Sequence, residues 1–393
     1  MEPVVGLDVS KGSSVMQAFV KRNEAFGKAE TIRHGKQGFE RLREQLTELR
    51  ERTGEDPVVI LEATGHYHRG VVSFLLRNEF RHVIINPLQS KRAKGTQLRK
   101  VKTDAADAWH LAEMYYRGEV NPHRTQEEAY TELQHVTRQH EFVTGLYVQA
   151  KLNARALLDQ VFPAFEGVFY DLYSTTSLRV LQCCLQGEVE KLQKILGDAT
   201  GRSHSKAWIQ EKTERMDWAL QEWNKGEVSP AQVMTLEGMI SLLFCLQDQL
   251  GRLEEQMEEI ALSLPEVELL QSIPGIGDKL AAVIVAETGD ARQFTSSKQL
   301  VAFAGLDPGV FSSGKFTAAS NRITKRGSKR LRRALYLAVQ CGLRKGANPR
   351  LKQYYDKKKK EGKPYKVAVI ACANKLLHHI YAILCKRQPY KVV

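Results

Sequence analysis

Val4-Val5-Gly6-Leu7-Asp8-Val9-Ser10-Lys11 is the stretch on which the reading of the N-terminal region turns, an apolar run that ends on an acid. Around it, residues 3–33 alternate between short β-rich runs (Val4 to Leu7, Val15 to Val20, Glu30 to Arg33) and Gly/Ser or Asn/Gly breaks, which predicts a three-strand meander. From about Gln37 to Arg52 the period changes to that of a helix, with Phe39, Leu42, Leu46 and Leu49 on one face. Val58-Val59-Ile60-Leu61 then reads as a fourth strand, His68 to Arg77 as a second helix, and His82 to Asn86 as a fifth strand that Pro87 ends.

A meander followed by strands alternating with helices gives a mixed α/β sheet, the pattern of ribonuclease-H-like nuclease domains. Asp8 ends the first strand, and Glu62 ends the fourth in Leu-Glu-Ala-Thr-Gly. Acids at the ends of neighbouring strands can converge, and a divalent metal is a reason for them to do so. Asp104 and Asp107, in Lys-Thr-Asp-Ala-Ala-Asp-Ala, stand three apart at a helix start, so their carboxylates share a face. Together the four can hold two Mg²⁺ or Mn²⁺ ions about 4 Å apart, and all-oxygen ligands favour those ions over zinc. Each acid taken alone has an ordinary explanation as a turn residue, a cap or a partner of the helix dipole; their order on these elements favours the metal.

The chain has 393 residues, 42% of them hydrophobic, enough for two or three domains. A formal charge of +13, concentrated toward the C-terminal end, makes nucleic acid the leading partner. The six cysteines (Cys183, Cys184, Cys245, Cys341, Cys372, Cys385) show no C-x-x-C spacing and read as reduced residues of a cytoplasmic protein. The start lacks the basic and apolar regions of a signal peptide. Val367 to Cys385 is apolar but interrupted by Lys375, His378 and His379, which predicts a packed amphipathic helix and no membrane insertion.

Two segments carry heptad spacing: Leu133, Val136, His140, Val143, Tyr147, Ala150, Ala154, Leu157 and Val161, then Leu236 through Leu264 over four heptads, roughly 40 Å of helix. Such seams suit a coiled coil, and pairing between chains is the favoured expectation over pairing within one. The boundaries expected are 1–124 for the α/β domain, 125–265 for the coiled-coil helices with a helical insert at 165–232, and 266–393 for a basic, mainly helical domain. No chemistry is assigned to the insert.

In that last region Ile273-Pro274-Gly275-Ile276-Gly277-Asp278-Lys279 matches a helix-hairpin-helix turn, whose glycines let backbone N–H groups approach a phosphate. Ala304-Gly305-Leu306-Asp307-Pro308 follows, then Ser312-Ser313-Gly314-Lys315, then Arg322-Ile323-Thr324-Lys325-Arg326-Gly327-Ser328-Lys329-Arg330-Leu331-Arg332-Arg333. Lys279, Lys315, Arg322, Lys325, Arg326, Lys329, Arg330, Arg332 and Arg333 are the expected phosphate contacts. A serine beside glycine among cations can act as a nucleophile, although by residue type alone Ser313 reads more readily as a turn serine.

In their order these motifs, with Glu-Ala-Thr-Gly-His-Tyr and Ile-Thr-Lys-Arg-Gly, resemble the insertion-sequence 110 family of DEDD transposases over almost the whole chain outside the insert. The resemblance implies a RuvC-like N-terminal domain with Asp8, Glu62, Asp104 and Asp107 as its acids. It also implies a C-terminal transposase domain whose catalytic serine is Ser313, with Ser312 the fallback. It further implies attack of serine on DNA through a covalent phosphoserine, a structured bridge RNA that pairs with donor and target DNA, and a homodimer that forms a tetramer in the synapse, near the nucleoid of a prokaryotic cell. There, acids and serine of each active site would come from different subunits. Two rivals stay open: a RuvC-like metal-dependent junction nuclease without a serine nucleophile, and a non-catalytic nucleic-acid-binding scaffold.

Overall fold

A computed structural model describes the chain apart from residues 1, 64, 86, 88–89, 91–102, 121–127, 198–204, 224, 310–311, 314–315, 318–321 and 392–393; at 225, 312–313 and 316–317 it describes backbone alone. The chain divides into two compact units, Met1–Thr125 and Gln126–Val393.

The first unit is built on five strands: β1 (Val4–Val9), β2 (Ser13–Lys21), β3 (Glu24–Arg33), β4 (Val58–Glu62) and β5 (His82–Ile85). Their spatial order is β3-β2-β1-β4-β5, antiparallel from β3 to β1 and parallel from β1 to β5, the arrangement of a ribonuclease-H-like sheet. β3 is longer than its sequence pattern predicts, because it is an edge strand with Ile32 as its one buried residue, and an exposed strand has no reason to alternate. The fifth strand ends at Ile85, and Asn86 lies outside the described residues. Helices α1 (Lys36–Thr53) and α2 (His68–Arg77) make the crossovers and cover one face, where Leu42, Leu46, Leu49, Val71 and Leu75 pack on Val5, Leu7, Val59 and Leu61.

The opposite face, formed by the alternate residues Val4, Val58, Ile60, Val83 and Ile85, is covered by α3 (Asp104–Tyr116) through Leu111, Ala112 and Met114. α3 lies very close to β1. A Cβ on Gly6 would overlap the carbonyl oxygen of Ala108 and sit 2.8 Å from its carbonyl carbon. Farther along the helix, Tyr115 donates its hydroxyl to the Glu2 carboxylate, and Tyr116 donates to the Glu2 carbonyl at 3.2 Å. Because Glu2 precedes β1, the helix runs antiparallel to the strand. Glu113, buried on α3, accepts from Arg22 at 2.5 Å and from Arg117 at 2.8 Å, which ties the helix to the β2–β3 turn.

The second unit is helical. α4 (Glu128–Val161) and α8 (Pro230–Leu262) pack along one another within the chain, which corrects the expectation of pairing between chains. Their seams are completed locally: His140 bonds Glu254 at 3.1 Å, and Gln247 donates to the Tyr147 hydroxyl at 2.8 Å. The insert, α5 (Thr175–Gln186), α6 (Leu192–Gly197) and α7 (Lys206–Glu222), buries one end of this pair in a core with Val143, Ala150, Leu158, Leu236 and Leu243. Phe162 stacks on Trp223 with centroids 4.3 Å apart, and the Trp223 indole N–H donates to the Val161 carbonyl at 2.6 Å.

The other end of the pair enters a second core, made with α9 (Pro265–Gln271), α10 (Asp278–Thr288), α11 (Ser297–Phe303), α12 (Lys329–Leu343), α13 (Pro349–Lys360) and α14 (Tyr365–Lys386). By length and composition α14 is apolar enough to cross a membrane, yet half of its apolar window is buried in this core. All six cysteines are free thiols, with Cys183, Cys184 and Cys372 buried.

Gly6→Ala places its methyl group against backbone, which cannot swing aside. The expected loss is about 1–3 kcal/mol, read as a lower denaturant midpoint with an unchanged slope; an unaltered midpoint would show that α3 does not sit where described. Arg22, foremost, holds the Glu113 carboxyl below its ordinary value, with Arg117 adding to the effect against the opposing influence of burial. Stability from this group is therefore present above the ordinary Glu pKa and lost as pH falls through the depressed one. Glu113→Gln should be less stable than the parent at neutral pH and lose less on acidification from pH 5 to pH 3; parallel losses would argue against the linkage.

Candidate active site and nucleic-acid interface

Register decides where the expected acids go. Leu7 pairs with Leu61 in parallel strands, so Asp8 and Glu62 occupy the next rung and share a face. That face is the one under α3, since Gly6, two residues before Asp8, lies beneath Ala108. With the C-terminal end of α3 at Glu2, its first turn stands toward the Asp8 end of β1. Asp104 and Asp107 occupy that turn, and Thr103 caps it by accepting from the Ala106 N–H at 3.2 Å. Two parallel strands and one helix thus carry all four acids to one end of one sheet face.

Asp8, Glu62 and Asp107 are half-buried and Asp104 is exposed. Among the described residues, no three His, Cys, Asp or Glu side chains stand close enough to hold a metal ion. The donor chemistry nevertheless fits a hard divalent cation. Carboxylates are its usual protein ligands, and no histidine or cysteine cluster offers a softer alternative among the described residues. Residue-type reasoning missed Gly6, the position that lets the helix come down. Its signal was there, since a glycine inside an apolar strand marks a close backbone approach.

In the second unit Ser312 and Ser313 form β6 (Ser312–Ser313), paired antiparallel with β7 (Phe316–Thr317), so that Ser313 is opposite Phe316. Lys315 lies outside the described residues. The runs on either side of this arm, residues 305–308 and 323–325, are its base. Pro308 bridges Ile323, Thr324 donates from its hydroxyl to the Asp307 carboxylate at 2.6 Å, and the Lys325 N–H donates to the Gly305 carbonyl at 3.1 Å. Gly327 packs so closely on Phe303 that a Cβ would overlap the Phe303 carbonyl oxygen.

The expected phosphate contacts separate into two groups. Arg322, Lys325, Arg326 and Lys329 are exposed and in no ion pair among the described residues. Arg330 and Arg333 instead hold Glu141 of α4 at 2.5 and 3.0 Å, and Arg332 donates to the Ala304 carbonyl at 2.8 Å. Burial raises the Glu141 carboxyl, but the two arginines lower it further, leaving it below the ordinary carboxylate range.

The hairpin turn has a packing role of its own. Gly275 has φ +100°, and a Cβ there would lie 2.5 Å from the Gly342 nitrogen, so this glycine serves packing of the turn on α12. Gly277 caps α10 and faces open space. Beside it, however, a 540 Å³ groove is lined by Glu254, Glu258, Glu268 and Asp278 against Lys279, which pairs with Glu254 at 2.5 Å. That charge balance repels a phosphate.

Comparison with known proteins matches residues 5–163 to a family described as a transposase of the DEDD insertion-sequence 110 type, and residues 267–356 to one described as "Transposase IS116/IS110/IS902 family". Together the two matches cover more than half of the chain. The chain belongs to the IS110/IS116 transposase family. Among curated relatives, an uncharacterized 42 kDa protein of insertion element IS900 from Mycobacterium paratuberculosis is 33% identical over 38% of this chain and 37% of its own length. The transposase for insertion sequence element IS1111A from Coxiella burnetii is 32% identical over 42% of this chain and 45% of its own. An uncharacterized 44.8 kDa protein of insertion element IS116 from Streptomyces clavuligerus is 26% identical over 75% and 73%. The chain spans little more than a third of the length of the first curated relatives it matches. A solved structure of Thermus thermophilus RuvC overlaps 31% of this chain at 15% identity, with a TM-score of 0.22.

Gly275→Ala separates the packing role of the hairpin turn from a phosphate-binding one. The strained φ and the contact with Gly342 predict a fall in thermal midpoint of several degrees in the free protein, from a loss on the order of 1–3 kcal/mol. A normal midpoint with weakened DNA binding would restore the phosphate role.

Proposed function

We propose that this protein is the transposase of a mobile insertion sequence, an enzyme that cuts and exchanges DNA strands. One observation carries the reading: acids from β1, β4 and the first turn of α3 come to a single end of a single sheet face. Asp8, Glu62, Asp104 and Asp107 are the residues that would hold divalent metal, with Mg²⁺ or Mn²⁺ the ions of choice. A cation bound there would supply charge stabilisation to a reacting phosphodiester.

Ser313 is proposed as the nucleophile, with Ser312 as the substitute. Its hydroxyl oxygen would form a bond to phosphorus while a bridging P–O bond of the DNA breaks, and the departing sugar oxygen would take up a proton. Support comes from the paired arm on which the serines stand and from the exposed cations Arg322, Lys325, Arg326 and Lys329 at and beyond its base. These cations would contact donor and target DNA. A structured bridge RNA that selects both DNAs by base pairing, and a homodimer that becomes a tetramer in the synapse, complete the proposal by family likeness.

Asp8→Asn is expected to lower plasmid recombination by about 100-fold or more, and Ser313→Ala to abolish it. Full recombination by both Ser313→Ala and Ser312→Ala would overturn the serine mechanism. Quenching the parent reaction in denaturant should leave a protein-linked DNA strand; free ends alone would mean attack by water. Independently of activity, titration with Mn²⁺ followed by electron paramagnetic resonance should show bound ion in the parent and a loss in Asp8→Asn and Glu62→Gln. Equal binding by all three would remove the metal from these acids.

A further inference from the structure

A groove of about 890 Å³ runs between α13, α14 and the segment that ends at Tyr390. Its lining differs in kind from that of the acidic groove beside the hairpin turn. Arg350, Lys357, Lys360 and Lys375 are exposed along it, and none is ion-paired among the described residues. Its two acids are already neutralised from outside: Asp356 is paired with Lys352 at 2.5 Å and Glu361 with Lys358 at 2.9 Å. The net field is therefore positive, and it is felt inside. His379, on the groove wall, is held below its ordinary pKa by burial and then by Lys375 and Arg350.

Three aromatic rings stand among these cations. Tyr354, His379 and Tyr390 are half-buried, and His379 and Tyr390 meet edge to face with centroids 6.0 Å apart. The Tyr390 backbone N–H donates to the Ser272 hydroxyl at 2.8 Å, which fixes the chain end to the floor of the fold. A duplex presents phosphates but keeps its base faces stacked internally, so it has no use for rings in a groove. A single strand offers both its backbone charge and its free base faces.

We propose that this groove binds a single strand of nucleic acid, with Arg350, Lys357, Lys360 and Lys375 along the phosphates and Tyr354 and Tyr390 against the bases. Much of it, from Lys357 to Tyr390, lies beyond the segment 267–356 that matches the transposase family. The shared chemistry is a flexible phosphodiester strand, which DNA opened during strand exchange or an RNA can supply. The inference rests on the chain's handling nucleic acid at all, and the test separates the two.

The full-length protein is titrated with fluorescein-labelled 12-nucleotide oligo-dT, oligo-U and a 12-base-pair duplex, followed by anisotropy. Lys360→Glu with Lys375→Glu should weaken single-strand binding at least tenfold. Tyr354→Ala should weaken it roughly 5-fold or more. Lys194→Glu with Lys206→Glu, an equal charge change on exposed positions of the insert, should do neither. Neutralising four phosphates gives a slope of log affinity against log salt of about −2.8, reduced in the double variant. Loss for oligo-dT assigns the groove to DNA and loss for oligo-U to RNA, and either supports it.

A 5-bromouracil strand cross-linked by light should leave its adduct on a peptide containing Tyr354 or Tyr390. If the parent binds strands but the groove variants bind as well, or Lys194→Glu with Lys206→Glu weakens binding as much, or the adduct maps elsewhere, the groove is overturned. If the parent binds the duplex but no single strand, the groove alone is overturned; if it binds none of the three, the nucleic-acid reading of the whole chain fails with it.

Discussion

The contact between the backbone of β1 and the backbone of α3 sets the position of everything at the carboxylate end of the first unit. Gly6 has no side chain to hold the two apart, so Ala108 comes down almost onto the strand. From there the helix geometry is fixed by ties at its middle and its far end, through Glu113 to Arg22 and through Tyr115 and Tyr116 to Glu2. Its first turn is capped by Thr103, which accepts from the Ala106 N–H. Four carboxylates brought toward one another repel, and a cation between them would offset that repulsion. Such repulsion accounts for acids that reach one end of the face although, among the described residues, no three of them stand within reach of a common ion.

Backbone contacts of the same kind recur in the second unit and have the same consequence. Gly275 against Gly342 seats the hairpin turn on α12, and Gly327 against Phe303 clamps the base of the arm that carries Ser313. Glu287, buried at the end of α10, then binds three elements at once: it accepts from Arg138 of α4 at 2.7 Å and from Ser328 at 2.7 Å, while Ser328 caps α12 through the Leu331 N–H. A buried carboxylate is stable only when its lone pairs are satisfied, so these partners must be present together. The long helix, the hairpin and the basic run are thereby one mechanical piece.

How much of this was legible beforehand depends on whether the deciding physics is local. The central strands β1 and β4 follow from their continuous apolar runs, because both of their faces are buried, and β5, α1 and α2 follow from period because each buries one face. β3 did not, since an edge strand exposed along Glu24 to Glu30 feels no such constraint. The placement of Asp8 and Glu62 at strand ends was readable, but their common face depends on a register between residues more than fifty apart, which no local pattern encodes. The heptads of α4 and α8 announced a partner without naming it, because a seam looks the same whether the other helix belongs to this chain or to another. The insert had no recognisable motif for a simple reason: Phe165, Phe169, Trp208 and Trp223 act by filling the end of that helix pair.

Charge was the least legible property. A run of cations from Lys325 to Arg333 reads uniformly as a surface for phosphate, yet helix geometry turns Arg330 and Arg333 toward Glu141 and leaves Lys325, Arg326 and Lys329 outward. The acid that sorts them, Glu141, lies 189 residues from Arg330. Conversely, Lys357 to Lys360 reads as a plain solvated helix end, and the fold divides it, giving Lys358 to Glu361 and lining a groove with Lys357 and Lys360. A formal excess of +13 thus states how much positive charge exists, whereas the positions of Glu141, Glu254 and Glu361 decide how much of it faces a partner. The surface open to a polyanion is what remains after those internal pairings, and it lies where the protein's own acids are absent or already paired.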